Sequence, residues 1–247
     1  MKRLALAILF WCASFAIFQL VFQAEGLPFL LLSRVLAHAF FLLASTSIVL
    51  AMGFCDLPEK VYVLSTLGFL LFSWMSVEYI TDDGLRLFVQ GPLLLCGASS
   101  AAKLIVNRVE RSWHIAVAAL FALFVDCWSV FASSGVTRTM VETRPDLLKY
   151  LLLGFPIPAL GVRGIMGISD FAILAILIFH SWKFEFDLKQ NILVLFLALS
   201  ATLILVHIIG VGLPAIPAMA IAFVGLNSRR LWRDFHSDWS AGFKYED

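Results

Sequence analysis

Ala122-Leu123-Phe124-Val125-Asp126-Cys127-Trp128-Ser129-Val130-Phe131 places a single carboxylate at the centre of an otherwise apolar run. The run covers residues 113 to 133, which matches the ~20 residues a helix needs to cross a hydrocarbon core roughly 30 Å thick. Seven other segments have the same character, at approximately 3 to 23, 29 to 53, 61 to 80, 86 to 107, 165 to 182, 190 to 210 and 213 to 227. Short polar connections such as Asp56-Leu57-Pro58-Glu59-Lys60 and Thr81-Asp82-Asp83-Gly84 separate them, as turns between packed helices require. The expected fold is all-α, a polytopic transmembrane helical bundle of about eight spans.

Composition points the same way. Of 247 residues, 61% are hydrophobic and 14% charged, with a mean hydropathy of +0.94. A soluble domain has about 45–50% apolar and 25% charged residues. A net charge of +1, with basic residues at the ends of apolar runs and no basic patch, argues against a nucleic-acid partner. Cys12, Cys55, Cys96 and Cys127 stand far apart, as packing thiols do, and no metal-ligand spacing such as His-Glu-x-x-His occurs. No metal and no cofactor are expected. Met1-Lys2-Arg3 opens an apolar stretch that continues to Phe22 without a small-residue cleavage site, so it reads as a retained first span. One membrane domain, 1–247, is expected, with four spans in 1–112, four in 113–227 and a tail over 228–247. In that tail Arg229-Arg230-Leu231-Trp232-Arg233 and Trp239 read as an interfacial anchor on the lipid bilayer.

Two places interrupt the pattern. From Ser134 to Gly164, charges, glycines and Pro145, Pro156 and Pro158 break up the sequence between the fifth and sixth spans, and a long connection of this kind is usually functional or disordered. The last span opens Gly212-Leu213-Pro214-Ala215-Ile216-Pro217 and is short for a full crossing. Irregular backbone at membrane depth is tolerated only against protein or a wet cavity.

Asp126 and Asp170 are the residues such spans should lack. An aspartate at the centre of a membrane helix costs roughly 2.5–3.5 kcal/mol on insertion scales, which makes it a functional residue by default. Neither has a lysine or arginine nearby on its own helix, and Ser129 and Ser133 extend a polar stripe from Asp126 expected to face the bundle interior. The plainer reading is that each aspartate hydrogen-bonds a neighbouring helix. The sharper one is that the two share a proton, because like charges ~3 Å apart cannot both ionise. A pair in that state holds one base and one acid, which is what aspartyl peptide hydrolysis requires.

The order of Asp126 in one span, Gly167-Ile168-Ser169-Asp170 at the start of the next and Pro214-Ala215-Ile216-Pro217 opening the last resembles presenilin and signal peptide peptidase. Met140-Val141-Glu142-Thr143 after the first aspartate and Leu160-Gly161-Val162-Arg163-Gly164 before the second are similar to presenilin as well. The likeness covers roughly Phe124 to Ala218 and is that of a short, prokaryotic-type member. It implies an intramembrane aspartyl protease acting on transmembrane-helix or signal-peptide substrates, with Asp126 and Asp170 as the catalytic pair. It further implies substrate contacts at Leu160, Gly161, Val162, Gly167, Ser169, Pro214, Ala215, Ile216 and Pro217, and a short β-strand over Ala159 to Arg163 that pairs with unwound substrate. The chain departs from the family at Val125 (usually Tyr), Ser169 (usually Gly) and Ile216 (usually Leu), and has eight expected spans where the family usually has nine.

Other chemistries remain open. Gly97-Ala98-Ser99-Ser100 with His207-Ile208-Ile209-Gly210 imitates a rhomboid-like serine dyad, but leaves both aspartates unexplained. A type IV prepilin peptidase shares the aspartyl chemistry, and the Pro-Ala-x-Pro segment speaks against it. A proton- or cation-coupled transporter, a channel or a silent helix-binding protein would also use intramembrane aspartates. Lys2, Arg3, Lys103, Arg108, Arg111, Lys183, Lys189, Arg229, Arg230 and Arg233 fall on one side of the spans. Both termini are therefore expected in the cytoplasm, in a plasma (inner) membrane. The oligomeric state has no signature in the sequence.

Overall fold

Residues 2–23, 30–156, 163–209 and 212–240 are described by a computed structural model. Long helices form over the apolar segments: α1 (Lys2–Gln23), α2 (Leu30–Gly53), α3 (Glu59–Tyr79), α4 (Asp83–Arg108) and α5 (His114–Phe131) in the first half of the chain. After two short helices, α6 (Val136–Thr143) and α7 (Pro145–Leu148), and a hairpin of β1 (Leu152–Pro156) and β2 (Arg163–Gly167), come α8 (Ile168–Lys183), α9 (Leu188–Ile209) and α10 (Ile216–Ser240). Among the described residues the architecture is all-α apart from that hairpin. Six helical segments among the described residues are long and apolar enough to cross a membrane: Lys2–Leu20, Val35–Gly53, Glu59–Tyr79, Asp83–Arg108, His114–Thr143 and Leu188–Val206. Two of the eight expected spans fall outside that group. α8 has only 16 residues, and the second half of α10 is charged.

Four expectations change. The connection from Ser134 to Gly164 carries α6, α7 and β1. The sixth span begins at Ile168 instead of 165, because Gly164, Ile165, Met166 and Gly167 pair with β1, and glycine is about 1 kcal/mol poorer than alanine in a helix. The segment from 228 is no separate tail, since α10 runs unbroken through it to Ser240. α5 stops at Phe131, so Ser133 lies beyond it and adds nothing to a helical stripe. The strand expected over Ala159 to Arg163 falls mostly on residues 157–162, outside the described residues.

The chain divides into two compact units, Met1–Leu104 with Thr139–Ile176, and Ile105–Arg138 with Leu177–Asp247. In the first, α1 packs on α2 and both touch β1. Trp11, Phe15 and Phe18 share one face of α1, at i, i+4 and i+7, and all three are buried. Their rings converge with Phe41 of α2 on Phe155 of β1, which is wholly buried, at centroid distances of 5.9 Å (Trp11), 5.6 Å (Phe15), 5.7 Å (Phe18) and 5.3 Å (Phe41). Aromatic pairs at such spacing contribute ~0.5–1.5 kcal/mol each beyond their buried area. Gly91 of α4 lets Trp11 come this close, since a Cβ there would stand 2.3 Å from the indole Cζ2.

The hairpin is antiparallel, from Leu152 opposite Gly167 to Pro156 opposite Arg163. Pairing gives each strand's backbone partners that lipid does not provide. Its end is joined to α8 by the Ile168 amide donating to the Leu151 carbonyl at 3.0 Å.

In the second unit α10 packs on α5 and α9. Asn191 and Asn227 exchange amide hydrogen bonds of 2.7 and 3.4 Å in the buried contact of α9 with α10. Lys183, at the end of α8, donates to the carbonyls of Val106 (2.9 Å), Asn107 (3.0 Å) and Val109 (2.6 Å), capping the carbonyl end of α4 with a cation. The charged half of α10 holds the turn before α5: Asp238 accepts from Arg111 at 2.5 Å and Trp113 at 2.8 Å, and Asp234 from Ser112 at 2.6 Å.

Phe155→Ala empties the centre of the aromatic cluster and is expected to cost ~3–5 kcal/mol of stability, as other buried Phe truncations do. Phe121→Ala, on the exposed face of α5, is expected to stay within ~0.5 kcal/mol. Unfolding by denaturing detergent or heat reads both, and equal midpoints for the two variants would contradict the role given to Phe155.

Candidate active site

Asp126 is half-buried on α5, in the second unit. Its Oδ2 accepts a hydrogen bond of 3.3 Å from the backbone amide of Ile216, the first residue of α10. The opening amides of any helix lack an acceptor within the helix. At α10 the preceding residue is Ala215, whose methyl group cannot act as a cap, and Pro217 has no N–H at all. The carboxylate of α5 therefore does the work that Ser, Thr, Asn or Asp does at an ordinary N-cap, and sits at the positive end of the α10 dipole. The first turn then closes with the Met219 amide on the Ala215 carbonyl at 3.3 Å. Ala215 and Ile216 are buried, and Pro214 and Pro217 half-buried. Asp126 and the Pro-Ala-Ile-Pro segment thus form one cluster inside one unit.

Asp170 belongs to the first unit and is the third residue of α8, in the helix's first turn. Its negative charge there is also favourable to the helix dipole. β2 runs straight into this helix through Gly167, where a Cβ would stand 3.1 Å from Ser169 Oγ and 3.4 Å from Asp170 Oδ2. Both side chains therefore fold back over Gly167, and the missing methyl leaves them room. The neighbouring Phe171 is wholly buried and meets Phe41 edge-to-face at 5.8 Å, so the aromatic cluster that holds β1 also anchors the start of α8. Gly167, Ser169 and Asp170 form the second cluster. Leu160, Gly161 and Val162 lie outside the described residues.

The Ile216 amide was missed as a partner for Asp126. Its signal was present in the sequence: a helix that begins Pro-Ala-Ile-Pro inside an apolar region carries no capping side chain of its own. Ser129, expected on the polar stripe, instead accepts the Thr137 amide at 2.9 Å and shares a 2.7 Å bond with the Thr137 hydroxyl at the start of α6. Ser99 and Ser100, the alternative nucleophiles, are buried in α4 with hydroxyls that have no hydrogen-bond partner among the described residues. Among those residues no group of three or more His, Cys, Asp or Glu side chains is placed to hold a metal ion.

No protein-family model matches the chain, and no curated protein matches it.

The cap on α10 separates two substitutions. Asp126→Asn keeps an oxygen for the Ile216 amide, whereas Asp126→Ala removes it and is expected to lower stability by ~1 kcal/mol more, the usual value of an N-cap. Thermal unfolding of the two variants compares them directly, and equal stability would show that the bond contributes nothing.

Proposed function

We propose that the chain is an intramembrane aspartyl protease, with Asp126 and Asp170 as its catalytic pair. The observation that carries this reading is that both carboxylates lie in apolar helices and at a helix start, one against Pro214-Ala215-Ile216-Pro217 and one behind Gly167. Each is therefore held in a defined place without a basic residue beside it in sequence. The ordered motifs resembling presenilin and signal peptide peptidase support the same assignment.

In the proposed reaction one carboxylate is ionised and removes a proton from water while the water oxygen attacks the peptide carbonyl carbon. The other carboxylate is protonated and donates to the carbonyl oxygen, giving a tetrahedral diol. Collapse of the diol breaks the C–N bond: the departing amine takes the proton first collected from water, and a diol hydroxyl returns its proton to the other carboxylate, which restores the starting pair. Substrates are transmembrane segments of membrane proteins or signal peptides. A helical peptide bond is shielded by its own hydrogen bonds, so the substrate unwinds locally first, and strand pairing beside β2 would replace the bonds it loses.

Both termini are proposed to be cytoplasmic, in a plasma (inner) membrane, with the α5–α6 turn on the opposite face. In a cysteine-free background Ser134→Cys is then expected to react with an impermeant thiol reagent added to intact cells, while Ser228→Cys stays unlabelled. The reverse pattern would overturn the orientation.

The central test incubates the purified chain with a model transmembrane peptide and identifies products by mass spectrometry. Asp126→Asn and Asp170→Asn are each expected to abolish cleavage while the protein remains folded, because one carboxylate cannot be both acid and base. The wild-type rate is expected to be bell-shaped in pH, with both limbs belonging to the pair jointly. Cleavage retained in either variant would end the assignment. Absence of cleavage in the wild type, with proton flux that depends on both aspartates, would favour a transporter.

A further inference from the structure

The first unit has a half-open pocket of about 340 Å³ that none of the proposed chemistry uses. Its size lies in the ~300–1,000 Å³ range of small-molecule sites. Arg86 and Leu87 reach it from the start of α4, Leu148 and Lys149 from the end of α7 and the residue after it, and Leu152 and Gly154 from β1. Leu87 closes over Gly154, where a Cβ would stand 2.7 Å from Leu87 Cδ1. The walls are mostly hydrocarbon, and the two polar contributors are both cations.

Both cations are positioned by neighbouring groups. Arg86 pairs one guanidinium nitrogen with Asp83 at 2.7 Å, while its Nε is buried with no hydrogen-bond partner among the described residues. The backbone of Lys149 is fixed by Gln90, itself buried, which donates to its carbonyl at 2.7 Å. The next residue, Tyr150, donates its hydroxyl to Glu78. The Lys149 ammonium lies over the Tyr150 ring at 5.0 Å, and its side chain is exposed.

An apolar chamber with two cations, at the end of a helix long and apolar enough to cross a membrane, is complementary to an anionic head carrying a hydrocarbon tail. We propose that this cavity binds one anionic phospholipid, its phosphate between Arg86 and Lys149 and an acyl chain along Leu87, Leu148 and Leu152. The Arg86 guanidinium and the Lys149 ammonium supply the charge that a phosphate meets there. Basic pockets between membrane helices recognise lipid headgroups in this way. Because Gly154 pairs with Ile165 in the hairpin, the bound lipid also braces β1, and the folded state gains stability with lipid concentration.

The test uses the full chain in a neutral detergent, titrated separately with phosphatidylglycerol, phosphatidylcholine and inorganic phosphate. Native mass spectrometry counts adducts and thermal unfolding reads the stabilisation. Phosphatidylglycerol is expected to form a one-to-one adduct, to raise the unfolding temperature and to bind tighter than phosphatidylcholine. Affinity for it is expected to fall about fivefold for each cation removed, in Arg86→Gln and in Lys149→Gln. Arg144→Gln, which neutralises an exposed cation outside the cavity lining, is expected to change nothing. If Arg86→Gln does not fold, Lys149→Gln, with its exposed side chain, reads the same loss. Equal binding of the two lipids, unchanged affinity in Lys149→Gln, or full stabilisation by inorganic phosphate alone would overturn the proposal.

Discussion

Hydrocarbon offers no water to a backbone amide, a carbonyl or a carboxylate, and each such group left unpaired there costs several kcal/mol. Much of what is unusual in this chain answers that constraint. The uncapped start of α10 is met by Asp126. At the edge of the apolar region the carbonyl end of α4 is met by Lys183. The irregular stretch before α8 becomes a paired hairpin, and two asparagines that would be costly singly satisfy each other. In the case of Asp126 the constraint and the proposed chemistry use the same atom: a carboxylate retained to close a helix is also a carboxylate held in one position.

Asp170 is placed by the packing of the elements that lead into it. β2 has no break between its last residue, Gly167, and the first residue of α8, so whatever fixes the hairpin fixes the first turn of that helix. Phe155 does this, surrounded by the aromatic face of α1 and by Phe41, with Phe171 of α8 resting on the same Phe41 ring. Six rings from two helices, a strand and a third helix therefore orient a turn that itself contributes only Gly167, Ser169 and Asp170 to the proposed site.

The long helices were legible because apolar runs of membrane length have few other structures available, and apart from the far end of α10 their observed ends lie within a few residues of the runs. The two aspartates stand out in the sequence for the complementary reason, that a charge in such a run is costly. What the sequence concealed depends on contacts between distant residues. Strand pairing over Gly164 to Gly167 overrides an apolar pattern that continues smoothly into α8. The tail from 228 reads as an independent anchor until Asp234 and Asp238 are seen to hold Arg111, Ser112 and Trp113, more than 120 positions away. The termination of α5 at Phe131 likewise takes Ser133 off a stripe that helical spacing alone would grant it.

That Asp126 and Asp170 act as one catalytic pair is tested most directly by the binding of a peptide isostere whose hydroxyl mimics the tetrahedral diol. Isothermal calorimetry on the detergent-solubilised chain would compare it with the parent peptide in wild type, Asp126→Asn and Asp170→Asn. A transition-state mimic of this kind is expected to bind wild type at least about 100-fold tighter than the parent peptide, and each substitution is expected to remove most of that advantage. Equal affinity of the isostere for all three proteins, or no advantage over the peptide in wild type, would contradict the pairing.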